Sequence, residues 1–382
     1  MPASTILQFL RPEDLEAVRR PLERASLLPP KCYSDPGIFA LEIERVFMRN
    51  WIAMGHVSEL PRPGDYLTRT FFKEPVLLAR DRGGELFAAS NVCRHRSRQV
   101  AEGKGNCLQR GGYQCPYHAW FYDTDGRLLR APYMERTEGF RPGDWQLPRL
   151  RMEVWNGFIF VNFDAEAAPL TPQLSSLHKV LEPFRIEDMQ CVEFVSYEAP
   201  WNWKATLENF SEAYHQPPIH PQTFEPWCPA KICRYEEVDG PYGLFSMPTA
   251  SGNPLPSPFP AIPGLPAAAY CEALVVNIMP MFHLLVDAAA IAFLDWDIRG
   301  PEDHRIIWKL LVPRSTYELP DFEQRKAQFL ETLMPVWVED EYACKGVAAG
   351  VRSRTAQAGR LSWMERTVHQ FQNWIVDQYE RS

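Results

Sequence analysis

Four residues between Cys93 and His118 form two short pairs that could bind a metal. The first pair is Cys93 and His95, which are separated by one residue, and the second pair is Cys115 and His118, which are separated by two. Each pair offers one thiolate and one imidazole, and both groups bind transition metals. Cys107 lies between the pairs without a histidine at either spacing, so we expect it to be a bystander.

The order of these ligands bears on which metal they bind. A closed tetrahedral zinc site is the usual interpretation of two cysteines and two histidines. Zinc fingers usually take both cysteines from one arm and both histidines from the other, whereas each arm here mixes the two. In a Rieske-type [2Fe–2S] cluster, two cysteines bind one iron and two histidines bind the other. Two facing hairpin tips could each supply one ligand of each kind, so the spacing favours this cluster over zinc.

A second group of candidate ligands follows in the segment WNWKATLENFSEAYHQPPIH. His215 and His220 are five residues apart, on either side of a pair of prolines. The apolar spacing predicts a helix from Lys204 that ends at these prolines, with His220 in the turn that follows. Glu208 and Glu212 precede His215 by seven and three residues, which would place all three on one helix face.

Two histidines and one carboxylate form the facial triad of non-haem Fe(II) oxygenases, which leaves metal positions open for O2. A Rieske cluster carries one electron at a time and does not itself transform an organic substrate. An oxygenase that contains such a cluster therefore needs a second metal site, and His215 with His220 would supply two of its ligands. The spacing alone leaves open which carboxylate completes the triad.

The cluster segment resembles the Rieske domain of the ring-hydroxylating oxygenase α subunits, a family associated with the catabolism of aromatic hydrocarbons. The resemblance is carried by CRHRSRQV and by the more specific CPYHAWFYDTDGRL. The family pattern Asn-x-x-Asp/Glu-x-Tyr-His-x4-His also matches Asn209 through His220. The similarity extends from about Phe39 to Trp374, which is nearly the whole chain.

This resemblance implies that the third iron ligand lies late in the sequence, at Asp340. Glu339 and Glu341 flank that residue, and the choice among the three acids rests on the resemblance. One departure lies nearby, because Ala348 stands where the family often has Gln.

The resemblance also implies that Glu212 is not an iron ligand. It is expected to act in catalysis as a bridge from His215 to His118 of the partner subunit, along which electrons pass. The family more often has Asp at this position, and the longer Glu resembles the branch that acts on quaternary ammonium compounds such as carnitine and glycine betaine.

The helix and strand patterns in the sequence around these residues predict an α+β fold. Short alternating runs from about Pro36 to Phe163, separated by turn residues, predict a small antiparallel β domain. Strand patterns follow Ala269, and the C-terminal segments are helical, so the strands and helices are grouped rather than alternating. The Gly- and Pro-rich stretch from Trp227 to Ala269 is predicted to be a long loop, such as a substrate lid.

The resemblance implies a domain order for these elements. Residues 1–38 are expected to be an N-terminal helical segment of the catalytic domain, and residues 39–165 the Rieske [2Fe-2S] domain. Residues 166–382 are expected to form the catalytic non-haem iron domain. The implied fold of that domain is helix-grip (START/Bet v 1-like), with an antiparallel sheet and long C-terminal helices.

Composition excludes several other classes of protein. The net charge of −8 provides no basic footprint for nucleic acid. No run of 18 apolar residues and no signal-like N-terminal segment is present, so we expect no membrane association. Nine cysteines without a secretory signal indicate a reduced, cytoplasmic setting in which cysteines bind metal more often than they form disulfides.

The substrate is less well defined than the metal sites. An apolar pocket with aromatic rings suits an arene, but the same rings could enclose a trimethylammonium group by cation–π attraction. The sequence leaves open both substrate classes and the choice between mono- and dioxygenation. For each candidate, ordinary core packing is the alternative role. The candidate pocket residues are Phe210, Trp227, Met247, Asn277, Met279, Phe282, His283, Phe293 and Trp296.

The resulting hypothesis is the terminal oxygenase of a multi-component system that uses O2 to hydroxylate a small organic substrate. No G-x-G-x-x-G motif opens a βαβ unit, so electrons would come from a separate NAD(P)H-dependent reductase, with or without a ferredoxin. Arg94, Arg96 and Arg98 could dock an acidic electron donor. The resemblance implies an α3 homotrimer. The alternatives are an electron-transfer protein that carries only the cluster and a binding protein with a degenerate iron site.

The cluster assignment is testable by absorption spectroscopy. We expect Cys93→Ser and His118→Ala each to abolish the visible Rieske spectrum of the purified protein, because each change removes one ligand of the cluster. Metal analysis of the wild-type protein should find iron, and zinc without iron would contradict the assignment.

Overall fold

The computed structural model describes residues 5–381, and its chain contacts separate two compact units. One unit is Ala53–Ala167, and the other combines the N-terminal segment up to Ile52 with the chain from Ala168 onward. The described strands pair in antiparallel fashion in both units. Helices and antiparallel sheets together confirm the predicted α+β class.

The smaller unit is built from three small sheets within the described residues, with strand orders 1-10-9, 4-3-2-5 and 6-7-8. Its short helical turns are Val57–Glu59, Leu108–Arg110 and Pro142–Asp144. The strands are β1 (Ile52–His56), β2 (Asp65–Phe71), β3 (Glu74–Arg80), β4 (Leu86–Ser90), β5 (Lys104–Asn106), β6 (Tyr113–Gln114), β7 (Phe121–Tyr122), β8 (Leu128–Arg130), β9 (Arg151–Trp155) and β10 (Phe158–Asn162).

The larger unit contains one sheet of seven strands in the order 11-17-16-15-14-13-12. Strands β12 to β17 each pair with their neighbours in sequence, as expected for a meander, and β11 pairs with β17 at the other edge. The strands are β11 (Met189–Ala199), β12 (Arg234–Tyr235), β13 (Tyr242–Pro248), β14 (Glu272–Ile278), β15 (Phe282–Val286), β16 (Ile291–Gly300) and β17 (Asp303–Pro313).

Helices cover this sheet, and the longest of them, α8, packs aromatic rings against β11. None of the described helices combines the length and the apolar character that a membrane crossing requires. The α-helices are α1 (Pro12–Arg19), α2 (Pro36–Glu42), α3 (Leu170–Gln173), α4 (Ser175–Leu181), α5 (Trp203–Asn209), α6 (Gln216–Ile219), α7 (Arg314–Tyr317), α8 (Phe322–Val351) and α9 (Arg366–Glu380). Shorter helical turns are Ile6–Gln8, Pro30–Tyr33, Ile43–Phe47, Glu182–Phe184, Ile186–Asp188, Ala230–Ile232, Ala267–Tyr270 and Trp363–Glu365.

The predicted helix from Lys204 to the two prolines is wrong in its length. Helix α5 ends at Asn209, and the prolines lie at the start of the separate short helix α6. Proline suits the first turn of a helix because its missing N–H would lack a partner there in any case. Consequently Glu208 and Glu212 do not share a helix face with His215.

The predicted loop between Trp227 and Ala269 contains strand β13, whose residues are almost all buried. Its flanking Gly and Pro residues hid the strand pattern in the sequence. The Pro-rich segment that follows is packed rather than free: Phe259 is buried, with its ring centroid 5.3 Å from that of Phe329 on α8.

A buried ion pair anchors helix α5, which leads into the candidate iron site. Lys204 Nζ lies 2.6 Å from Glu42 Oε1, and both side chains are fully buried. The indole N–H of Trp203 donates to Glu42 Oε2 at 3.0 Å, and the hydroxyl of Tyr379 donates to Oε1. The carboxylate is thus hydrogen-bonded from three sides, which offsets part of the free-energy cost of burying charge.

We expect Lys204→Met to lower the free energy of unfolding by about 3 to 5 kcal/mol, because it leaves the Glu42 carboxylate buried without its counter-ion. Urea denaturation monitored by circular dichroism would measure this loss. The partly exposed pair of Lys345 and Glu341, with 2.7 Å between Nζ and Oε1, provides the control. Lys345→Met should cost less than about 1 kcal/mol, and similar losses in the two variants would contradict the anchoring role.

Candidate metal centres

The two ligand-bearing loops of the smaller unit share one backbone arrangement. The amides of Cys93 and Cys115 each donate to the carbonyl five residues later, at 2.9 Å in both loops. The amide four residues after each cysteine donates back to the cysteine carbonyl, at 3.1 Å in both. That fourth residue is Ser97 in one loop and Ala119 in the other, and their φ values are 56° and 55°. Each loop therefore presents a Cys and a His from the same kind of tight turn.

The four side chains of these loops sort by chemical type. Cys93 and Cys115 are buried in the same hydrophobic cluster. The imidazoles of His95 and His118 lie nearer the surface, with ring centroids 4.5 Å apart. A Rieske cluster takes two thiolates on one iron and two imidazoles on the other. The two buried cysteines and the two more exposed histidines fit that cluster, and the cysteines would hold its inner iron.

A buried tyrosine hydroxyl contacts the sulfur side of this site. The amide of Arg94 donates to the hydroxyl oxygen of Tyr122 at 3.0 Å, so the hydroxyl proton is free to point towards Cys93 Sγ, 3.2 Å away. Burial raises the pKa of the Cys93 thiol, and the bond from Tyr122 opposes that effect. A donor at this sulfur also stabilises the more negative, reduced state of a cluster.

In the larger unit, His215, His220 and Asp340 meet at one point. The two imidazole Nε2 atoms are 3.2 Å apart, and Asp340 Oδ1 lies 3.0 Å from Nε2 of His220 and 3.4 Å from that of His215. His215 immediately precedes α6, His220 follows it, and Asp340 is on α8. Among the described residues, this is the set of three or more side chains whose ligand atoms lie close enough to share one ion.

These distances fit a shared metal ion. Ligand atoms that make bonds of about 2.1 Å to one ion lie about 3.0 Å apart at octahedral angles and about 3.4 Å apart at tetrahedral angles. The observed separations of 3.0, 3.2 and 3.4 Å fall within these limits. Two imidazoles and one carboxylate are also the donor set of non-haem Fe(II) sites.

Each ligand is oriented by a second polar contact. Glu212 Oε1 accepts from His215 Nδ1 at 2.6 Å, and Glu339 Oε2 accepts from His220 Nδ1 at 2.7 Å. A carboxylate at Nδ1 fixes the proton there and leaves the Nε2 lone pair for the metal. The side-chain amide of Asn209 donates to Asp340 Oδ1 at 2.8 Å. Glu339 thus lies on the far side of His220 from the shared point, while Asp340 faces that point.

The charges around this point favour a cation. Although burial opposes protonation, the carboxylates of Glu212 and Asp340 raise the pKa of His215 to about 10. Burial likewise opposes ionisation of Asp340, but its hydrogen bonds with His215 and His220 lower the pKa of the acid to about 2. The same negative charge that holds a proton on an imidazole would stabilise a bound metal ion.

A cavity of about 100 Å³ opens beside the three candidate ligands. Its walls are mostly apolar, and among the described residues they include no Lys and no Arg. Apart from the candidate ligands and Glu212, the lining residues are Phe194, Val195, Tyr197, Asn209, Phe210, Gln216, Phe224, Phe245, Met247, Val275, His283, Leu285, Trp308, Leu330, Leu333, Val336 and Trp337.

The structure places three of the sequence-derived pocket candidates, Phe210, Met247 and His283, in this wall. Asn277 lies directly behind His283 and is hydrogen-bonded to it. The remaining candidates are outside the lining: Trp227 is half-exposed elsewhere, while Met279, Phe282, Phe293 and Trp296 are buried in the packing around the sheet.

The sequence analysis missed the wall contributed by α8. Trp337, Val336 and Leu333 precede Asp340 by three, four and seven residues, which places them on the same helix face as that acid. Trp308 of β17 was also missed. Helical spacing counted backwards from Asp340 would have identified the first three residues.

The geometry predicts how metal binding responds to substitution. His215→Ala, His220→Ala and Asp340→Ala should each lose the mononuclear metal while keeping the visible cluster, because the two ligand sets belong to separate units. Glu339→Gln should weaken metal binding by about 10- to 100-fold without abolishing it. Iron analysis of the purified variants measures both effects. Retention of the metal in Asp340→Ala with its loss in Glu339→Ala would instead make Glu339 the ligand.

Comparisons with known proteins agree with both centres. The family described as the Rieske [2Fe-2S] domain matches residues 50–141, and the catalytic domain of the ring hydroxylating alpha subunit matches residues 186–381. A solved structure of a quaternary ammonium Rieske monooxygenase aligns with a TM-score of 0.82, at 23% identity, over 96% of this chain and 98% of that chain.

Curated relatives include enzymes with different substrates. The carnitine monooxygenase oxygenase subunit of Escherichia coli (strain K12) is 37% identical over 56% of this chain and 56% of its own length. The biphenyl 2,3-dioxygenase subunit alpha of Rhodococcus jostii (strain RHA1) is 33% identical over 50% of this chain and 43% of its own length. The matched regions thus span about half the length of these relatives. Since the catalytic-domain match covers more than half of the chain, the protein belongs to the family of ring-hydroxylating alpha subunits and carries their Rieske [2Fe-2S] domain.

Proposed function

We propose that this protein is the oxygenase component of a multi-component Rieske system and that it inserts oxygen into a small organic substrate. The observation that carries the proposal is the triad of His215, His220 and Asp340 at the wall of a mostly apolar cavity. A protein that only carried electrons would have no use for an organic-sized cavity beside its second metal site.

In this proposal, Cys93, His95, Cys115 and His118 hold the cluster, and the triad holds Fe(II). When bound, the cluster supplies single electrons and the iron activates O2. The protein positions the metal through the carboxylates at the outer nitrogens of the two histidines. The apolar walls exclude water, so that the supplied electrons are used in the reaction of the substrate.

The cavity favours a neutral, largely apolar substrate that is no larger than about one small ring. A dry cavity of about 150 Å³ accepts benzene in another protein, and the cavity here measures about 100 Å³. Two tryptophans, Trp308 and Trp337, and Phe210 line it. A betaine would also need a partner for its carboxylate, and the described lining offers neither Lys nor Arg.

A quaternary ammonium compound is the second candidate substrate. The aromatic rings of Tyr197 and Trp337 are stacked at 4.4 Å on one wall, and such faces attract trimethylammonium groups. The 37% identity to the carnitine monooxygenase subunit favours this class as well. A carboxylate on such a substrate would have to reach a cation elsewhere.

The proposal extends to assembly and electron supply. We propose a homotrimer in which Glu212 connects His215 to His118 of the partner subunit, and a separate reductase, with or without a ferredoxin, as the source of electrons. The related quaternary ammonium monooxygenase structure is described as giving insights into inter-subunit electron transfer.

On the smaller unit, the guanidinium groups of Arg94 and Arg96 lie over the rings of Trp145 and Tyr117 at 5.3 Å, which holds two exposed cations in place for an acidic donor.

The activity can be tested by substrate-dependent NADH oxidation with a surrogate reductase and a panel of arenes and betaines. We expect oxygenated product from a small arene in the wild-type protein and none in Asp340→Ala. With Fe(II) in excess, so that weaker iron binding does not empty the site, Glu212→Gln should keep both metals and the trimer but lose most turnover, because a neutral amide is a weaker partner for the outer nitrogen of His215.

Stopped-flow absorption separates this role of Glu212 from a structural one. In Glu212→Gln the cluster should still be reduced by the reductase, while its reoxidation in the presence of substrate and O2 should be slow. Full turnover in this variant, or an active monomer, would contradict the bridge. Product from a betaine but from no arene would reverse the choice between the two substrate classes.

A further inference from the structure

His283 is a buried polar side chain in an otherwise apolar region of the cavity wall. It lies on β15 directly opposite Asn277 of β14, and both side chains are almost fully buried. Side chains of directly opposite residues project to the same face of a sheet, which brings His283 Nδ1 within 2.7 Å of Asn277 Oδ1. The side-chain nitrogen of Asn277, Nδ2, lies 2.9 Å from Ser211 Oγ and donates to it. None of these three residues is one of the proposed metal ligands.

The end of this hydrogen-bond chain determines the direction of every bond in it. Ser211 Oγ lies 2.5 Å from the carbonyl of Leu207, in the last turn of α5. Carbonyls in such a turn lack a helical partner, and the Ser211 amide donates to Glu208 O instead. The serine hydroxyl therefore donates to Leu207 O and accepts from the Asn277 amide nitrogen.

The direction of these bonds determines the tautomer of His283. Since the Asn277 nitrogen points to Ser211, its oxygen faces the imidazole and must accept a proton from Nδ1. A neutral imidazole with its proton on Nδ1 has a lone pair on Nε2. Burial lowers the pKa of His283 to about 3, against an opposing effect of the Asp340 charge, so the ring is neutral at physiological pH.

His283 lines the cavity, and its Nδ1 is occupied by Asn277. We infer that Nε2 presents a fixed hydrogen-bond acceptor to the substrate. We propose that His283 is a specificity-determining residue that selects substrates carrying an O–H or N–H donor on a small apolar frame, such as phenols, anilines or alcohols. This inference rests on the proposed oxygenase function and narrows its substrate class.

The same acceptor disfavours two other kinds of ligand. A hydrocarbon leaves Nε2 without a partner in an apolar wall, and leaving a buried polar group unpaired costs free energy. A carboxylate would place its own lone pairs against that of Nε2. A site built to bind a donor rejects analogues without one more strongly than a site that relies on shape alone.

Direct binding measurements test this inference without requiring turnover. Isothermal titration calorimetry on the purified holoprotein would compare phenol with anisole, and aniline with N,N-dimethylaniline. Methylation removes the donor in each pair. Toluene and ethylbenzene form the control pair, because ethylbenzene has one more methylene but neither compound has a donor. The measured quantity is the Kd of anisole divided by the Kd of phenol, and it is corrected by dividing it by the same ratio for ethylbenzene and toluene. We expect the corrected ratio to be about ten.

Two variants assign the preference to one side chain. His283→Phe keeps an aromatic ring but removes the acceptor, so phenol should lose its advantage while anisole still binds. Leu285→Met, two residues along the same strand and also in the wall, is the matched control and should keep the preference even if both affinities shift. The wild-type comparison needs no variant, so it stands if His283→Phe fails to fold.

The outcomes separate this inference from the proposed function. Three outcomes would overturn the role of His283. They are equal affinities for the donor and methylated ligands, tighter binding of the methylated ligands, and no binding of either kind. Oxygenation of an arene could still be observed in each of those cases. Conversely, a clear donor preference without any oxygenated product would support the role of His283 and contradict the proposed reaction.

Discussion

The candidate active site depends on bringing two distant parts of the chain to within a bond length or two of a common point. His215 and His220 flank one short helix, whereas Asp340 lies on α8, about a third of the chain later. Their ligand atoms must lie within a few tenths of an ångström of the required separations, or no single ion can bind all three. Everything that holds α5, α6 and α8 together therefore serves this one geometric requirement.

Polar contacts meet that requirement inside a region that is otherwise apolar. Asn209, at the end of α5, donates directly to Asp340, so the helix before the histidines is bonded to the helix that carries the acid. Glu339 likewise ties α8 to His220, and Thr223 donates to the same carboxylate at 2.6 Å. At the other end of α5, the Glu42 and Lys204 pair resists movement, because separating it would leave charge buried without a partner. The helix is thus held by polar groups at both ends.

Much of this arrangement could be predicted from the sequence, because the ligands of both centres occur in short, regularly spaced motifs. Spacing alone was enough to propose Cys93, His95, Cys115 and His118 as ligands. Proximity in the sequence was enough to propose the two histidines of the triad. Asp340 was identified only through family resemblance, since no local pattern separates it from the acids on either side. Long-range packing decides which of adjacent acids faces inward, and a single sequence does not contain that information directly.

The sequence-based predictions that were wrong have local physical causes. The helical period in KATLENFSEAYH continues beyond Asn209, but the chain leaves the helix there, and hydrogen bonds from Tyr33 and Gln372 hold Glu208 away from the triad. Strand β13 was hidden because Gly and Pro, which usually mark loops, flank a short apolar run. Pocket residues were the hardest to predict, because an aromatic side chain in a wall and one in the core have the same sequence signature.

The repeated backbone arrangement of the two cluster loops has a consequence for how the cluster is acquired. Each loop is closed by its own main-chain hydrogen bonds, so its shape is set by folding and does not have to be imposed by iron. The entropy of ordering the two loop backbones is then lost during folding of the β domain. A delivery system would meet a preorganised docking point at the protein surface, with its imidazoles outermost, and would transfer a cluster into it with little rearrangement of the recipient.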